Sequence, residues 1–166
     1  MTRVLGPALP AALVDRLSQR DLPQRLGTAL PFVTVDAEGR PHAMLLSYLE
    51  IRAHDAASLG LVILAKSRSA RNLVERGTGT LLIVEPDVVA YVKARTIDGP
   101  LPVAGAADLG LGYFLLGVEE VLEDSAADWE GGMRMTHAIE YRPVPTLDEP
   151  WARATLAALS EPRARV

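Results

Sequence analysis

The segment from Ser58 to Gly77 limits the possible folds more than any other part of the sequence. It opens with Leu59 to Ala65, an uncharged apolar run of the length of a β-strand. A polar stretch follows without a break, and within it apolar residues recur at helical spacing up to the final glycine. This order predicts a buried strand that continues into a short helix, with Ser67 or Ser69 as the helix N-cap.

Cations and hydrogen-bonding side chains crowd the start of this predicted helix. The first amides of a helix lack partners within it and the helix dipole places positive potential there, so such a terminus attracts anions. Serine, lysine and arginine side chains add donors that suit a phosphate. A capped helix with a solvated basic face accounts for the same pattern equally well. The residues concerned are Lys66, Ser67, Arg68, Ser69, Arg71 and Asn72.

The composition narrows the class of protein. A chain of 166 residues suits one domain, 1–166, with a proper core. It contains no cysteine, which excludes disulfides, thiol nucleophiles and thiolate metal sites. A net charge of −4, with dispersed basic residues, argues against general nucleic-acid binding. Apolar runs too short to span a bilayer, and an N-terminus without a secretory pattern, predict a cytoplasmic protein with no membrane partner.

The remaining patterns are mostly those of strands joined by tight turns. Within 88–96 the alternation is clean, with Tyr91, Lys93 and Arg95 on a half-polar face that could meet solvent, a subunit or a ligand. Segments 50–58 and 97–110 are predicted connections, and 123–136 is predicted to be a loop or a poor helix. Strands are predicted at 29–35, 40–49, 59–65, 80–85, 88–96, 111–122 and 137–142, and helices at about 10–20, 67–76 and 148–159, the last capped by Asp148.

These elements predict a mainly β fold, a small antiparallel β-barrel of six or seven strands with peripheral helices. The barrel covers about 29–142, between the N-terminal and C-terminal helices. A parallel sheet is disfavoured because it would need a crossover helix after most strands, and only one internal helix is predicted.

The sequence also resembles the FMN-binding split-barrel proteins, the pyridoxamine 5′-phosphate oxidase-like superfamily. The matching stretches cover roughly Leu30 to Arg95. They are L-P-F-V-T-V-D-A-E-G-R-P-H-A-M-L-L-S-Y, L-V-I-L-A-K-S-R-S-A-R-N-L, G-T-G-T-L-L-I-V and Y-V-K-A-R. The D-x-x-G-x-P turn and the asparagine-leucine pair of the helix are the most specific parts. The final residues, S-E-P-R-A-R-V, differ from the C-terminal substrate signature of true pyridoxamine phosphate oxidases, which argues against vitamin B6 oxidation.

The resemblance implies a set of cofactor contacts. It implies that the polar residues from Lys66 to Asn72 surround the FMN phosphate, and that the strand around Val62 to Ala65 lies along the flavin ring and ribityl chain. It also implies a homodimer with FMN at the subunit interface. The expected contacts are thus Met44, Leu45, Leu46, Ser47, Leu64, Ala65, Lys66, Ser67, Arg68, Ser69, Arg71 and Asn72, with Tyr91 and Lys93 as candidates for contact from the second subunit.

The resulting functional hypothesis is a flavin-dependent oxidoreductase that acts on a small molecule, with no catalytic residue nominated. A non-enzymatic flavin or haem carrier, a deazaflavin-dependent reductase and an interaction module with an empty site are the alternatives. The three histidines are too scattered for a metal motif, and no serine lies in a nucleophile elbow. Trp129, beside two glycines, is either a mobile lid or an anchor for its loop.

Overall fold

A computed structural model describes residues 2–126 and 128–161. Within that range the chain forms nine strands, four α-helices and two short 3₁₀ turns. The strands are β1 Thr2–Gly6, β2 Thr28–Val35, β3 Pro41–Ser47, β4 Ile51–Asp55, β5 Ser58–Leu64, β6 Thr78–Glu85, β7 Val88–Pro102, β8 Leu111–Asp124 and β9 Ile139–Glu140. The helices are α1 Ala11–Arg16, α2 Leu22–Arg25, α3 Arg68–Arg76 and α4 Pro150–Ser160.

The strands form one antiparallel sheet in the order β3-β2-β6-β7-β8-β5-β4. Two short strands join it from the side, since β1 pairs with β8 and β9 pairs with β2. Half of the strand pairs that are consecutive in sequence are neighbours in the sheet, namely β2 and β3, β4 and β5, β6 and β7, and β7 and β8. The fold is therefore the mainly β split barrel with peripheral helices that the sequence predicts.

The core lies inside the barrel and consists of inward-facing residues from most strands. Phe32, Leu61, Leu81 and Phe114 are fully buried there. A second, smaller cluster lies beneath α4, where Val62 and its neighbours pack against Leu159. Strand β5 is thus covered on both faces, which explains why its sequence is continuously apolar rather than alternating.

The predicted unit of a strand followed by a helix is confirmed. Strand β5 ends at Leu64, and α3 begins at Arg68 after three intervening residues. Ser67 is the N-cap, and its Oγ accepts a hydrogen bond from the Ala70 amide over 3.1 Å. The helix ends at Gly77, whose φ of 69° is the left-handed conformation that suits a C-terminal glycine.

The predicted N-terminal helix, 10–20, is wrong in extent. Helix α1 ends at Arg16, and the separate helix α2 follows. Gln19 adopts a φ of 65°, and its side-chain amide donates to the carbonyl groups of Tyr48, Leu49 and Ile51. These contacts with the barrel replace the helical continuation that the apolar stripe predicts.

Two strands are missing from the sequence prediction. The predicted connection 50–58 contains β4, which pairs with β5 and buries Ile51 and Ala53. Arg52 and His54 alternate with these apolar residues, a strand pattern that extends over too few residues to stand out from a polar connection. The first strand, β1, pairs with the far end of β8 and has no clear pattern of its own.

Other boundaries also differ. Strand β7 continues to Pro102, so only 103–110 remains of the predicted connection 97–110, and β8 continues to Asp124. The predicted last strand, 137–142, shrinks to Ile139–Glu140. Helix α4 has Glu149 as its N-cap position, with no side-chain capping bond, so the prediction of Asp148 as the cap is wrong.

Candidate functional site

The N-terminus of α3 presents unpaired backbone donors. Ser67 caps the Ala70 amide, whereas the amides of Arg68 and Ser69 have no hydrogen-bond acceptor among the described residues. The local sequence causes this arrangement, because the β-strand ends at Leu64 and a tight turn leads directly into the helix. Together with the helix dipole, such amides form an anion-attracting site.

Three cationic side chains surround this terminus. Lys66, Arg68 and Arg71 are exposed, and within the described part of the chain none of them forms an ion pair. Half of the other described cations are paired, as Arg16 is with Glu85. The positive charge of the cluster at α3 is therefore not neutralised by an ion pair within the described part of the chain.

Two of the predicted phosphate ligands lie on the opposite face of the same helix. Ser69 and Asn72 are only 2% and 3% exposed. The Asn72 amide donates to Thr34 Oγ1 over 2.9 Å, and that hydroxyl donates to the His42 carbonyl over 3.3 Å. The Asn72 side chain therefore ties α3 to the hairpin of β2 and β3 instead of facing outward with the cations.

The predicted flavin contacts on β3 alternate between surface and interior. Leu45 is 62% exposed, Met44 is half-buried, and Leu46 and Ser47 are buried. At the end of β5, Leu64 is exposed and leads to the half-buried Ala65.

A groove of about 650 Å³ runs beside the end of β3. Leu45, Leu46 and Ser47 form one side of it. The other lining residues are Ala29, Glu50, Tyr141, Pro143, Val144, Pro145, Glu149 and Trp151. Sequence reasoning missed this groove because its two walls lie roughly a hundred residues apart in the chain.

Glu50 is the residue of this groove with the most unusual environment. Its Oε2 accepts hydrogen bonds from the Ser47 amide over 2.7 Å and from the Ser47 hydroxyl over 2.8 Å. Burial raises the pKa of Glu50, and the two bonds from Ser47 oppose that rise. The only sequence signal that could have identified Glu50 is its position as a single carboxylate between two apolar strands.

Tyr91, Lys93 and Arg95 lie elsewhere, on β7, and each is paired with an acidic residue of β8. The Tyr91 hydroxyl donates to Asp124 over 3.0 Å, Lys93 pairs with Glu120, and Arg95 Nε donates to Glu119 over 2.6 Å. The half-polar face is thus a ladder of cross-strand pairs within one chain. The contact of Tyr91 and Lys93 with cofactor across a subunit interface stays a prediction.

Other candidate sites are less informative. His54 hydrogen-bonds the Tyr113 hydroxyl over 2.8 Å, so it serves packing between β4 and β8. Among residues 2–126 and 128–161, no group of histidine and carboxylate side chains has a metal-binding arrangement. Trp129 is 84% exposed. The final residues, 162–166, lie outside the described residues. None of the described helices is long and apolar enough to cross a membrane.

Comparison with known proteins supports the fold. No family model and no curated protein matches the sequence. The structure is similar to a candidate pyridoxamine 5′-phosphate oxidase from Lactobacillus delbrueckii, with a TM-score of 0.56 and 17% identity over 73% of this chain and 98% of that one. It is also similar to an FMN-binding protein from Syntrophomonas wolfei, with a TM-score of 0.52 and 13% identity over 70% and 91% of the two chains.

A third similar structure is HupZ of Group A Streptococcus, with a TM-score of 0.51 and 13% identity over 68% of this chain and 92% of that one. At such low identities, these similarities establish a shared backbone architecture rather than a shared activity. The chain has the fold of the pyridoxamine 5′-phosphate oxidase-like split barrels.

Proposed function

We propose that this protein is an FMN-binding flavoprotein and an oxidoreductase acting on a small molecule. The observation that carries the proposal is the cluster of unpaired cations, Lys66, Arg68 and Arg71, around the open N-terminus of α3. A dianionic phosphate ester would accept hydrogen bonds from the amides and side chains there. The similarity of the fold to an FMN-binding protein makes flavin the first phosphate ester to test.

In this proposal the chain holds the phosphate at α3 and places the flavin ring along β3 and the end of β5. The cofactor, when bound, supplies the two-electron chemistry. The protein residues bind the phosphate, cover one face of the ring and exclude water. Leu45 and Leu64 suit such a role because both are large, apolar and exposed.

We also propose that the protein forms a homodimer. Leu45, Leu64 and Val74 are large apolar side chains that stand more than half exposed on β3, β5 and α3. Exposed apolar surface of this kind marks contact sites for other chains or ligands. Sedimentation of the FMN-saturated protein should show a dimer at micromolar concentration, and a fully loaded monomer would contradict this part of the proposal.

Removal of a phosphate-binding cation tests the cofactor assignment. Lys66→Ala and Arg71→Ala should each weaken FMN binding by about ten- to a hundredfold, because a hydrogen bond to a charged group contributes about 1.5–3 kcal/mol and about 1.4 kcal/mol is tenfold in affinity. Riboflavin, which lacks the phosphate, should bind weakly to the wild type and lose little more in either variant. Titration of flavin fluorescence measures both ligands.

Arg153→Ala is the matched control, because Arg153 is an exposed arginine on α4, away from α3. It should leave FMN affinity unchanged. Equal losses for FMN and riboflavin would place the effect at the ring or in the fold. An unchanged FMN affinity in both Lys66→Ala and Arg71→Ala would refute the phosphate site.

A further inference from the structure

The groove beside the end of β3 has the size and composition of a small-molecule site. Its volume of about 650 Å³ falls within the range of about 300–1,000 Å³ that such sites occupy. Leu45, Leu46 and Val144 are among the apolar residues of its lining, and Trp151 adds an indole ring. A few polar groups among mostly apolar walls are what orient a ligand in a site of this kind.

Glu50 is the most firmly held of these polar groups. Its amide donates to the Ser47 carbonyl over 3.0 Å, and its own carbonyl accepts from the Val62 amide over 2.9 Å. Its Oε2 accepts both donors of Ser47. Among the described residues the other oxygen, Oε1, has no hydrogen-bond partner. The carboxyl is thus preorganised on a rigid turn, with one acceptor left for a ligand.

The charge of the groove is negative. Its acidic lining residues are Glu50 and Glu149, and no lysine, arginine or histidine lines it. Arg142 sits between two lining residues and is not itself part of the lining; its Nη1 lies 2.9 Å, and Cγ2 of the lining residue Val144 3.0 Å, from the place that a Cβ on Gly27 would take. A ligand in the groove therefore meets acceptors and carboxylates.

Trp151 is held in place by the second carboxylate. Its Nε1 donates to Glu149 Oε2 over 2.6 Å. This bond lowers the pKa of Glu149, so that this carboxylate stays ionised. An indole fixed beside a carboxylate offers a flat apolar surface and negative potential together, which is the combination that attracts an aromatic cation.

We propose that this groove binds a small aromatic cation, such as an amidine or a protonated ring amine, whose N–H groups donate to Glu50. The ring of such a ligand would lie among the apolar walls, and its charge would offset the negative charge of Glu50. Glu50 is half-buried, and a carboxylate partly removed from water is costly without a paired cation, which the ligand supplies. The site is separate from the phosphate site at the α3 terminus, but it shares Leu45, Leu46 and Ser47 with the strand along which the flavin ring is proposed to lie.

Benzamidine is a suitable probe, because benzamide and benzoate have the same ring with neutral and negative groups. Isothermal titration of the full chain should show that benzamidine binds, that benzamide binds more weakly and that benzoate does not bind. Glu50→Gln should weaken benzamidine by about tenfold or more, since it removes the charge of a hydrogen-bonded pair. Glutamine keeps an oxygen that can accept from Ser47, so the turn is preserved.

Glu38→Gln is the matched control, because Glu38 is an exposed glutamate in the turn of the hairpin of β2 and β3 and does not line the groove. Benzamidine affinity should change by about threefold or less, since solvent screens this distant charge. Leu45→Lys is a second test that does not disturb a buried residue, since Leu45 is mostly exposed. The new cation at the rim should weaken benzamidine by roughly tenfold and leave the unfolding midpoint unchanged.

Equal affinity of wild type and Glu50→Gln for benzamidine, or benzoate binding as tight as benzamidine binding, would overturn the proposal. The titrations are made on flavin-free protein, because the flavin ring is proposed to lie along the same strand, β3. Failure of FMN itself to bind would refute the flavin function and leave the groove intact.

Discussion

At the scale of single residues, Asn72 shows that one face of α3 packs against the barrel while another face carries exposed cations. Its amide is buried against Thr34, while Arg71, the preceding residue, is exposed. Asn72→Ala should lower the free energy of unfolding by about 1–3 kcal/mol, because it removes a buried hydrogen bond and leaves a small void. Urea denaturation measures this loss.

Arg71→Ala is the natural comparison. It should leave the free energy of unfolding within about 0.5 kcal/mol of the wild type, since the residue is on the surface and alanine is a good helix former. Its expected effect is on FMN affinity. If Asn72→Ala were as stable as the wild type and lost FMN affinity instead, Asn72 would be a ligand and not a structural tie.

The sequence could predict that residues of these types in the α3 segment attract phosphate. It could not predict which of their side chains face the barrel and which face outward. Ser67 and Ser69 are equivalent N-cap candidates in the sequence. In the structure Ser67 is the cap, and Ser69 is buried. Which serine faces the barrel depends on the phase of the helix relative to the sheet, and that phase is set by Ala70 and Leu73 packing inward.

At the scale of elements, strands with their own periodicity could be predicted, and strands defined by their partners could not. The hairpin of β2 and β3 has a turn with Gly39, and β5 is a long apolar run. Strand β4 carries Arg52 and His54, and becomes a strand because β5 supplies its hydrogen bonds. Strand β7 likewise continues past Thr96 because β8 pairs with it, through several register shifts.

Strand β6 provides a prediction about packing inside the barrel. A Cβ on Gly79 would lie only 2.4 Å from Phe32 Cζ, in the neighbouring strand β2. Gly79→Ala should therefore lower the free energy of unfolding by about 1–3 kcal/mol through overpacking. Chemical denaturation of the variant measures the loss.

A second substitution checks the cause. Phe32→Leu removes the ring that the new methyl group would meet. The double variant should lose less stability than the sum of the two single variants, as expected for residues in direct contact. Strict additivity would mean that the cost at Gly79 comes from the backbone and not from the phenyl ring.

At the scale of the whole molecule, a buried polar cluster joins the N-terminal helices to one end of the barrel. The Tyr48 hydroxyl donates to Glu85, and Arg16 Nη1 donates to the other oxygen of that carboxylate over 2.7 Å. The Arg25 guanidinium lies 3.5 Å from Glu85 and 5.2 Å from the centre of the Tyr48 ring. The sequence could not reveal this cluster, because its members come from four separate elements or turns and share no motif.

Tyr48 gives this cluster a signature in alkaline solution. Burial, followed by the hydrogen bond to Glu85, raises the pKa of Tyr48 well above its usual value of 10.0. Below pH 10 the tyrosine is protonated in both the folded and the unfolded chain, so its contribution to stability is constant. Above pH 10 the unfolded chain releases the proton while the folded chain keeps it, and stability must fall as the pH rises.

The prediction is a pH-dependent difference between the wild type and Tyr48→Phe. At pH 8 the variant should be less stable by about 1–3 kcal/mol, because Glu85 loses a buried hydrogen bond to a hydroxyl group. From pH 10 to pH 11.5 this difference should shrink by up to about 1.4 kcal/mol per pH unit, since phenylalanine cannot titrate and the wild type can. Urea unfolding of both proteins at each pH measures it, and the remaining tyrosines cancel in the comparison. A constant difference across that range would show that Tyr48 ionises equally in the folded and unfolded chains, which would contradict the raised pKa.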